Sequence, residues 1–241
     1  MRLAVISDIH GNMDAFERVL ADITRSDVND IINLGDNIGY GPEPDLVVKS
    51  VQAHNIPSVV GNHELAAVEP RYLDLFNPVA RESLEKNIKL LSNQSIRYIS
   101  KQKTHLVSFG CRFVHGFPPD SALIYMFQVS DHRKKQIFDK LDERICFIGH
   151  THILEMIGYD GNTVKHHPLK KGIQRLSENH KYILNIGSVG QPRDGDNRAK
   201  YVIWDSSHDT IEVKYITYDI GATVEKIRAA GLPDEHARRL W

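Results

Sequence analysis

The chain has 241 residues, 41% of them hydrophobic, with 30 Lys and Arg against 31 Asp and Glu and a formal net charge of −1. That length admits a large α/β domain with a sizeable core. The near-zero charge excludes a global basic field for nucleic acid or an anionic membrane, and no run is apolar enough for a signal peptide or a membrane span.

Residues 3–7 predict a short buried strand, followed by the polar loop 8–12. Residues 14–24 place Phe16, Val19, Leu20 and Ile23 on one stripe, as an amphipathic helix requires. A second strand over 30–34 ends in Gly35-Asp36, a Gly/Pro-rich loop covers 37–44, a second helix 45–54, and a third strand 57–60. This alternation of strand, polar loop and helix predicts a largely parallel sheet with its loops gathered at one edge. Residues 65–102 read as mostly helical, with Pro78 in a first turn and Leu84, Ile88 and Leu91 on a buried stripe. The period then changes. Residues 104–109 and 112–115 predict a hairpin about Gly110, 131–141 a helix, and 145–148 a strand ending in Gly149-His150-Thr151-His152. Residues 153–159 and 163–168 flank Asp160-Gly161 as a second hairpin. Strands follow at 182–186, 201–205 and 211–217, and a closing helix at 221–230 is capped by Gly231. With no repeat and no linker, one domain over 1–241 is expected, with a βαβ first half and a hairpin-rich second half. Cys111 and Cys146 form neither a CxxC pair nor a disulfide framework, so a reduced, cytoplasmic compartment is expected.

The 13 histidines are many for this length, and their placement carries the chemistry. Asp8 and His10 follow the first strand, Asp36 the second, and Asn62 and His63 the third. His115 ends the mid-chain hairpin, and His150 and His152 follow the next strand. On an extended chain residues two apart point the same way, so Asp8/His10 and His150/His152 read as two pincers. A carboxylate such as Asp36 can bridge two cations, and imidazoles suit Zn, Fe, Ni, Co or Mn. Two such ions, about 3.5–4 Å apart, hold a bridging hydroxide whose pKa has fallen toward about 7, and they polarise a phosphoryl oxygen. Protonating the leaving alkoxide falls to a histidine beside the metals but not on them.

Asp8-x-His10, Gly35-Asp36, Gly61-Asn62-His63-Glu64, His115-Gly116 and Gly149-His150-x-His152 resemble, in order, the motif set of the calcineurin-like metallophosphoesterase superfamily. The stretch from Gly187 to Arg193 is similar to the closing segment of its small bacterial and archaeal members. The resemblance implies a four-layer α-β-β-α sandwich of two mixed sheets flanked by helices. It implies two divalent transition-metal ions (Mn, Fe, Ni, Co or Zn), one held by Asp8, His10, Asp36 and His152. The other would be held by Asp36, Asn62, His115 and His150, with Asp36 bridging and His63 as the catalytic proton donor. The family's protein Ser/Thr phosphatases carry Asp-Arg-Gly shortly after the Gly-Asp motif. Here Asn37-Ile38-Gly39-Tyr40-Gly41 supplies no Arg, which favours the phosphodiesterase-like branch: attack of the bridging hydroxide on a small phosphodiester or nucleotide-type polyphosphate. A phosphomonoesterase, a Ser/Thr protein phosphatase or a non-catalytic binding protein on the same scaffold are the alternatives. Tyr40 and Arg193 are candidate substrate contacts, although Arg193 equally has Asp194 and Asp196 to pair with. Taken singly, Asp8 is also a helix cap, His115 also a hairpin-end residue, and the residues alone do not separate His63 from a ligand. The remaining histidines, His236 among them, are expected in solvent, and His166-His167 on the surface. Neither membrane nor nucleic-acid partner is expected, and oligomeric state leaves no mark in the sequence.

Overall fold

Leu3, Ala4, Val5 and Ile6 are all fully buried, so β1 (Arg2–Ile6) is apolar on both faces and belongs at the centre of a sheet. In the computed structural model, which describes residues 1–241, β1 leads through α1 (Met13–Thr24) to β2 (Asp30–Asn33), and α2 (Pro44–Ala53) follows. The helical region consists of α3 (Asn62–Val68), a short 3₁₀ turn, α4 (Pro78–Leu90) and α5 (Asn93–Ile99). Next come β3 (His105–Ser108), β4 (Cys111–Val114), α6 (Asp131–Lys140), β5 (Ile145–Ile148), β6 (Leu154–Tyr159) and β7 (Val164–Pro168). The chain closes with β8 (Gly172–Arg175), β9 (Lys181–Ile186), β10 (Ala199–Asp205), β11 (Thr210–Ile216), α7 (Ile220–Ala229) and α8 (Asp234–Arg238).

The strands form a five-stranded sheet, β2-β1-β10-β11-β8, and a six-stranded sheet, β3-β4-β5-β9-β6-β7. Both are mixed. β1 runs parallel to β2 but antiparallel to β10, and β4, β5 and β9 run parallel while β6 opposes β9. The sheets pack face to face through Leu3, Val5, Phe113, Phe147, Leu184 and Trp204. The alternate residues of β1, Ala4 and Ile6, pack outward on Phe16 and Val19 of α1 and Val47 and Val51 of α2. On the other side Cys146, Ile148, Ile157 and Ile183 pack on Ile137 and Phe138 of α6. The four expected layers result. No helix is long and apolar enough to cross a membrane.

Four expectations are corrected. The two halves of the chain do not make separate sheets: β8, β10 and β11 from the second half complete the sheet that β1 and β2 begin. The third strand, 57–60, is only an extended segment with isolated bridges, Asn33 to Ser58 and Val59 to Lys103. Asn33 N donates to Pro57 O and Val59 N to Asn33 O, a single parallel bridge, and Val60 N then turns to Lys103 O instead of extending the ladder. β8 carried no periodic signal, because its Ile173 is 70% exposed. The helix at 220–229 does end before Gly231, at φ +63°, but α8 follows it and packs on it through Ala237 and Leu240.

Candidate metal centre

The parallel strands β1 and β2, and β4 and β5, deliver their C-terminal ends to one edge of the sandwich, where α/β sheets open a crevice. The loops are then laced together by backbone. Asp8 N donates to Gly35 O, His10 N to Asp36 O, Gly149 N to His115 O, and Gly190 N to Asp8 O. Asn185 of β9 donates from Nδ2 to Gly149 O and Thr151 Oγ1, fixing the loop that carries both His150 and His152. Six non-glycine residues of this edge adopt left-handed backbone: Asp8, His10, Asp36, Tyr40, His150 and His152. Such conformations cost energy and persist where surrounding contacts over-determine them, commonly at functional sites.

The side chains converge in two overlapping clusters. Asp8, His10 and His152 make one, with His152 Nε2 3.2 Å from Asp8 Oδ1 and His10 Nε2 3.1 Å from His152 Nε2. Asp36, His115 and His150 make the other, with His115 Nε2 3.2 Å from both Asp36 Oδ2 and His150 Nδ1. Asn62 Oδ1 lies 3.1 Å from His115 Nε2. Asp36 faces both clusters, its Oδ2 also lying 3.7 Å from His10 Nε2. Asp8 and His10 do close together. His150 and His152 do not: their rings turn into different clusters, although all four residues share left-handed backbone, at φ +55°, +49°, +70° and +61°.

Each imidazole is aimed by a bond on its far side. His10, His115 and His152 donate from Nδ1 to the carbonyls of Ile38, Leu34 and Gln191, which turns the Nε2 lone pair inward. His150 is reversed, with Nε2 on Leu123 O and Nδ1 inward. Burial alone would raise the carboxyls of Asp8 and Asp36. The facing imidazoles, His152 and His10 for the first and His115 and His63 for the second, hold both below the usual carboxylate range. Burial pushes His150 down to about 3 and His152 to about 4, whereas Asp36 overrides burial and lifts His115 to about 9. Asp8 Oδ1 is buried with no hydrogen-bond partner, and neither carboxylate pairs with a lysine or arginine. A buried site of N and O donors whose two carboxylates lack a lysine or arginine fits divalent metal ions, which would take the place of the proton on His115.

Glu64 is the buckle of the site, a role its place in the motif did not disclose. Fully buried, it accepts from the backbone N–H groups of Asp36, Asn37 and Gly61 at 2.8, 2.6 and 3.1 Å, tying the loop after β2 to the start of α3. Burial and the Asp36 charge raise its carboxyl to about 7 against those donors. Gly61 leaves room for this: a Cβ there would lie 2.1 Å from Asp36 Oδ1.

His63 is also buried, with Nε2 3.9 Å from Asp36 Oδ2, and its donor atom groups with those of His10 and Asp36. Its ring sits edge-on between Tyr40 and Phe76, at 4.7 and 4.8 Å, and its Nδ1 has no partner. Burial holds it well below the usual histidine range despite Asp36. Tyr40 packs on His10 at 4.5 Å, under the Arg193 guanidinium at 5.5 Å. The expected pairing of Arg193 with Asp194 or Asp196 is not made, because Lys200 takes Asp194 and Arg198 takes Asp196. His236 is a second correction. It is buried rather than solvated, 4.8 Å from Tyr40, with both ring nitrogens unpartnered and burial pushing it down to about 4. His166 is exposed as expected, between Glu155 and Asp131. A cavity of about 280 Å³ opens beside Asn62 and His150, walled by Tyr40, Leu75, Phe76 and Tyr125, whose ring stacks on His150 at 3.7 Å. Phe76 and Tyr125 had no signal in the sequence.

The chain is 34% identical over 243 residues to MJ0912, an uncharacterised protein of Methanocaldococcus jannaschii, covering 99% of this chain and 97% of that one. A metallophosphoesterase from Sphaerobacter thermophilus, 35% identical, superposes with a TM-score of 0.86 over 100% of this chain and 98% of its own. A shorter stretch of 68 residues, 27% of this chain and 24% of its relative, is 40% identical to the symmetrical bis(5′-nucleosyl)-tetraphosphatase of Delftia acidovorans. The calcineurin-like phosphoesterase superfamily domain matches over residues 1–209. With that match spanning most of its length, the chain belongs to the calcineurin-like phosphoesterase superfamily.

Proposed function

We propose that the chain is a two-metal phosphoesterase that hydrolyses small phosphodiesters or nucleotide-type polyphosphate esters, acting as one domain in the cytoplasm. The observation that carries this reading is the convergence of seven side chains, five histidines about two buried carboxylates that have no lysine or arginine partner. Asp8, His10, Asp36 and His152 would hold one divalent ion, and Asp36, Asn62, His115 and His150 the other. The mixed donor set suits Mn, Fe, Ni, Co or Zn, with cellular supply selecting among them. When bound, such a pair supplies an activated water and draws charge from the phosphoryl oxygens.

The chain's own residues do the rest. The Nδ1 bonds of His10, His115 and His152 keep their lone pairs aimed. His63, beside the cradle, is the proton donor to the leaving oxygen. Burial keeps its free imidazole neutral, and a phosphoryl anion lodged against it acts in the opposite direction, so the proton is taken up with substrate. The aromatic cavity beside His150 is shaped for an aryl or nucleoside group. The short likeness to a dinucleoside tetraphosphatase supports a nucleotide substrate, and the free, buried cysteines accord with a reducing compartment.

One observation favours phosphomonoesters instead. Arg193 supplies beside Tyr40 the cation for a dianion that the loop after Asp36 lacks. Metal-stripped protein resupplied with each ion and assayed on bis(p-nitrophenyl) phosphate and p-nitrophenyl phosphate decides between them. Metal-dependent hydrolysis, faster on the diester, is expected. Faster monoester cleavage moves the case to the second reading. No turnover of either substrate, or of nucleotide esters, with two ions bound contradicts the proposal.

A further inference from the structure

Arg193 and Arg239 line one cavity beside the cradle, and neither is in an ion pair with a carboxylate. The cavity, about 570 Å³, is lined by Pro192, Arg193, Asp196, Asn197, Arg239 and Trp241 among others. Arg193 reaches inward as well. Its guanidinium lies 5.5 Å from the Tyr40 ring, its Nη2 donates to Gln191 Oε1, and its Nε is buried without a partner. Arg239, just past α8, is exposed and in no ion pair. The nearby acids are occupied: Asp194 by Lys200, Asp196 by Arg198, and Asp234 by Arg228 and Arg238. Glu235, one turn before Arg239, gives it only a backbone carbonyl. Like charges sharing a cavity repel unless an anion lies between them, and guanidinium forks match phosphate oxygens. Trp241, 71% exposed, adds an aromatic wall.

We propose that Arg193 and Arg239 form a second anion subsite, which holds a phosphoryl group of the substrate next in line to the phosphorus attacked at the cradle. This rests on the two-metal reading and narrows it to substrates with at least two linked phosphoryl groups. Arg193 borders both spaces, through Tyr40 on one side and the cavity on the other, so the two phosphoryl positions are contiguous. Arg193 lies within the superfamily domain match, whereas Arg239 and Trp241 lie beyond residue 209, where that match ends, so the C-terminal segment supplies the second half of the subsite.

The test titrates zinc-loaded protein with orthophosphate and with methylenediphosphonate, whose P–C–P bridge resists hydrolysis. Binding is followed by calorimetry and by the emission of Trp241, since Trp204 is buried in the core. Metal content is measured after each titration so that chelation is seen. Methylenediphosphonate is expected to bind at least about tenfold more tightly than orthophosphate, as one added charge-assisted contact allows. Arg239→Gln should bring that ratio to about one, and Arg238→Gln, which loses only its pairing with Asp234, should keep it. Equal affinities in the unaltered protein, or an unchanged ratio in Arg239→Gln, overturn the subsite. Ester hydrolysis is assayed on the same zinc-loaded preparation; its failure would strike the two-metal reading, whereas the binding ratio strikes only the subsite.

Discussion

The His/Asp cradle takes its side chains from the ends of neighbouring strands, whereas the wall around it takes Tyr40, Phe76, Tyr125, Arg193 and His236 from loops and from a C-terminal helix. In the cradle each ring is held twice, by packing and by a bond from its far nitrogen to a backbone carbonyl. In the wall, rings touch rings, and buried nitrogens such as both of His236 are left without partners. The cradle is therefore rigid and electrostatically specified, and the wall is shaped mainly by contact. The difference teaches that placing charge and admitting substrate are divided between two kinds of structure on one edge of the sandwich.

The largest effect should come from the carboxylate that faces both clusters. Asp36→Asn keeps the shape and removes the charge, so metal content should fall to one ion or fewer and kcat/KM by at least about a thousandfold. Near-normal activity would break the claim that the cradle is the reacting centre. The next substitution crosses from the wall to the cradle. Gly39 has φ +89°, and a Cβ there would lie 2.1 Å from His63 Nδ1. Gly39→Ala should displace His63 and cost about 10²–10⁴-fold in kcat while both ions are retained. Loss of metal instead would make His63 part of the cradle.

The strand ends were legible because β1, β2 and β5 are short apolar runs that stop at a polar residue or at Gly, leaving Asp8, Asp36 and His150 on the page as a pattern. The wall was not, because nothing local ties Phe76 or Tyr125 to an edge whose other residues lie tens of positions away. His236 was read as solvated for the same reason: α8 folds back on α7 and carries it against Tyr40, and only tertiary packing discloses that. The separation of His150 from His152 was hidden differently: both pairs have left-handed backbone, so an extended-chain argument holds for neither, and the cluster each ring enters is set by its tertiary partners, Leu123 O for His150 and Gln191 O for His152.

A smaller effect tests the wall alone. His236 has a value of about 4 in the fold against an ordinary 6.5, so the unfolded chain takes up the proton first as the pH falls. Its contribution is complete above about pH 6.5 and is lost between about 6.5 and 4, by about 2–3 kcal/mol near pH 4.5. His236→Phe should flatten that part of the stability–pH curve in chemical denaturation. A curve that stays as steep would remove the buried neutral histidine from the account. The smallest effect belongs to the exposed edge strand. His166→Ala, removing a surface contact to Asp131 and Glu155, should change stability by less than about 1 kcal/mol and activity not at all.

The most direct test of the whole account is the metal stoichiometry of the purified chain after loading, measured beside its diester hydrolysis before and after chelation. Two ions per chain, with hydrolysis lost on chelation and restored on reloading, is the result the geometry predicts. One ion or fewer at saturation, or hydrolysis that survives removal of the metal, would contradict it.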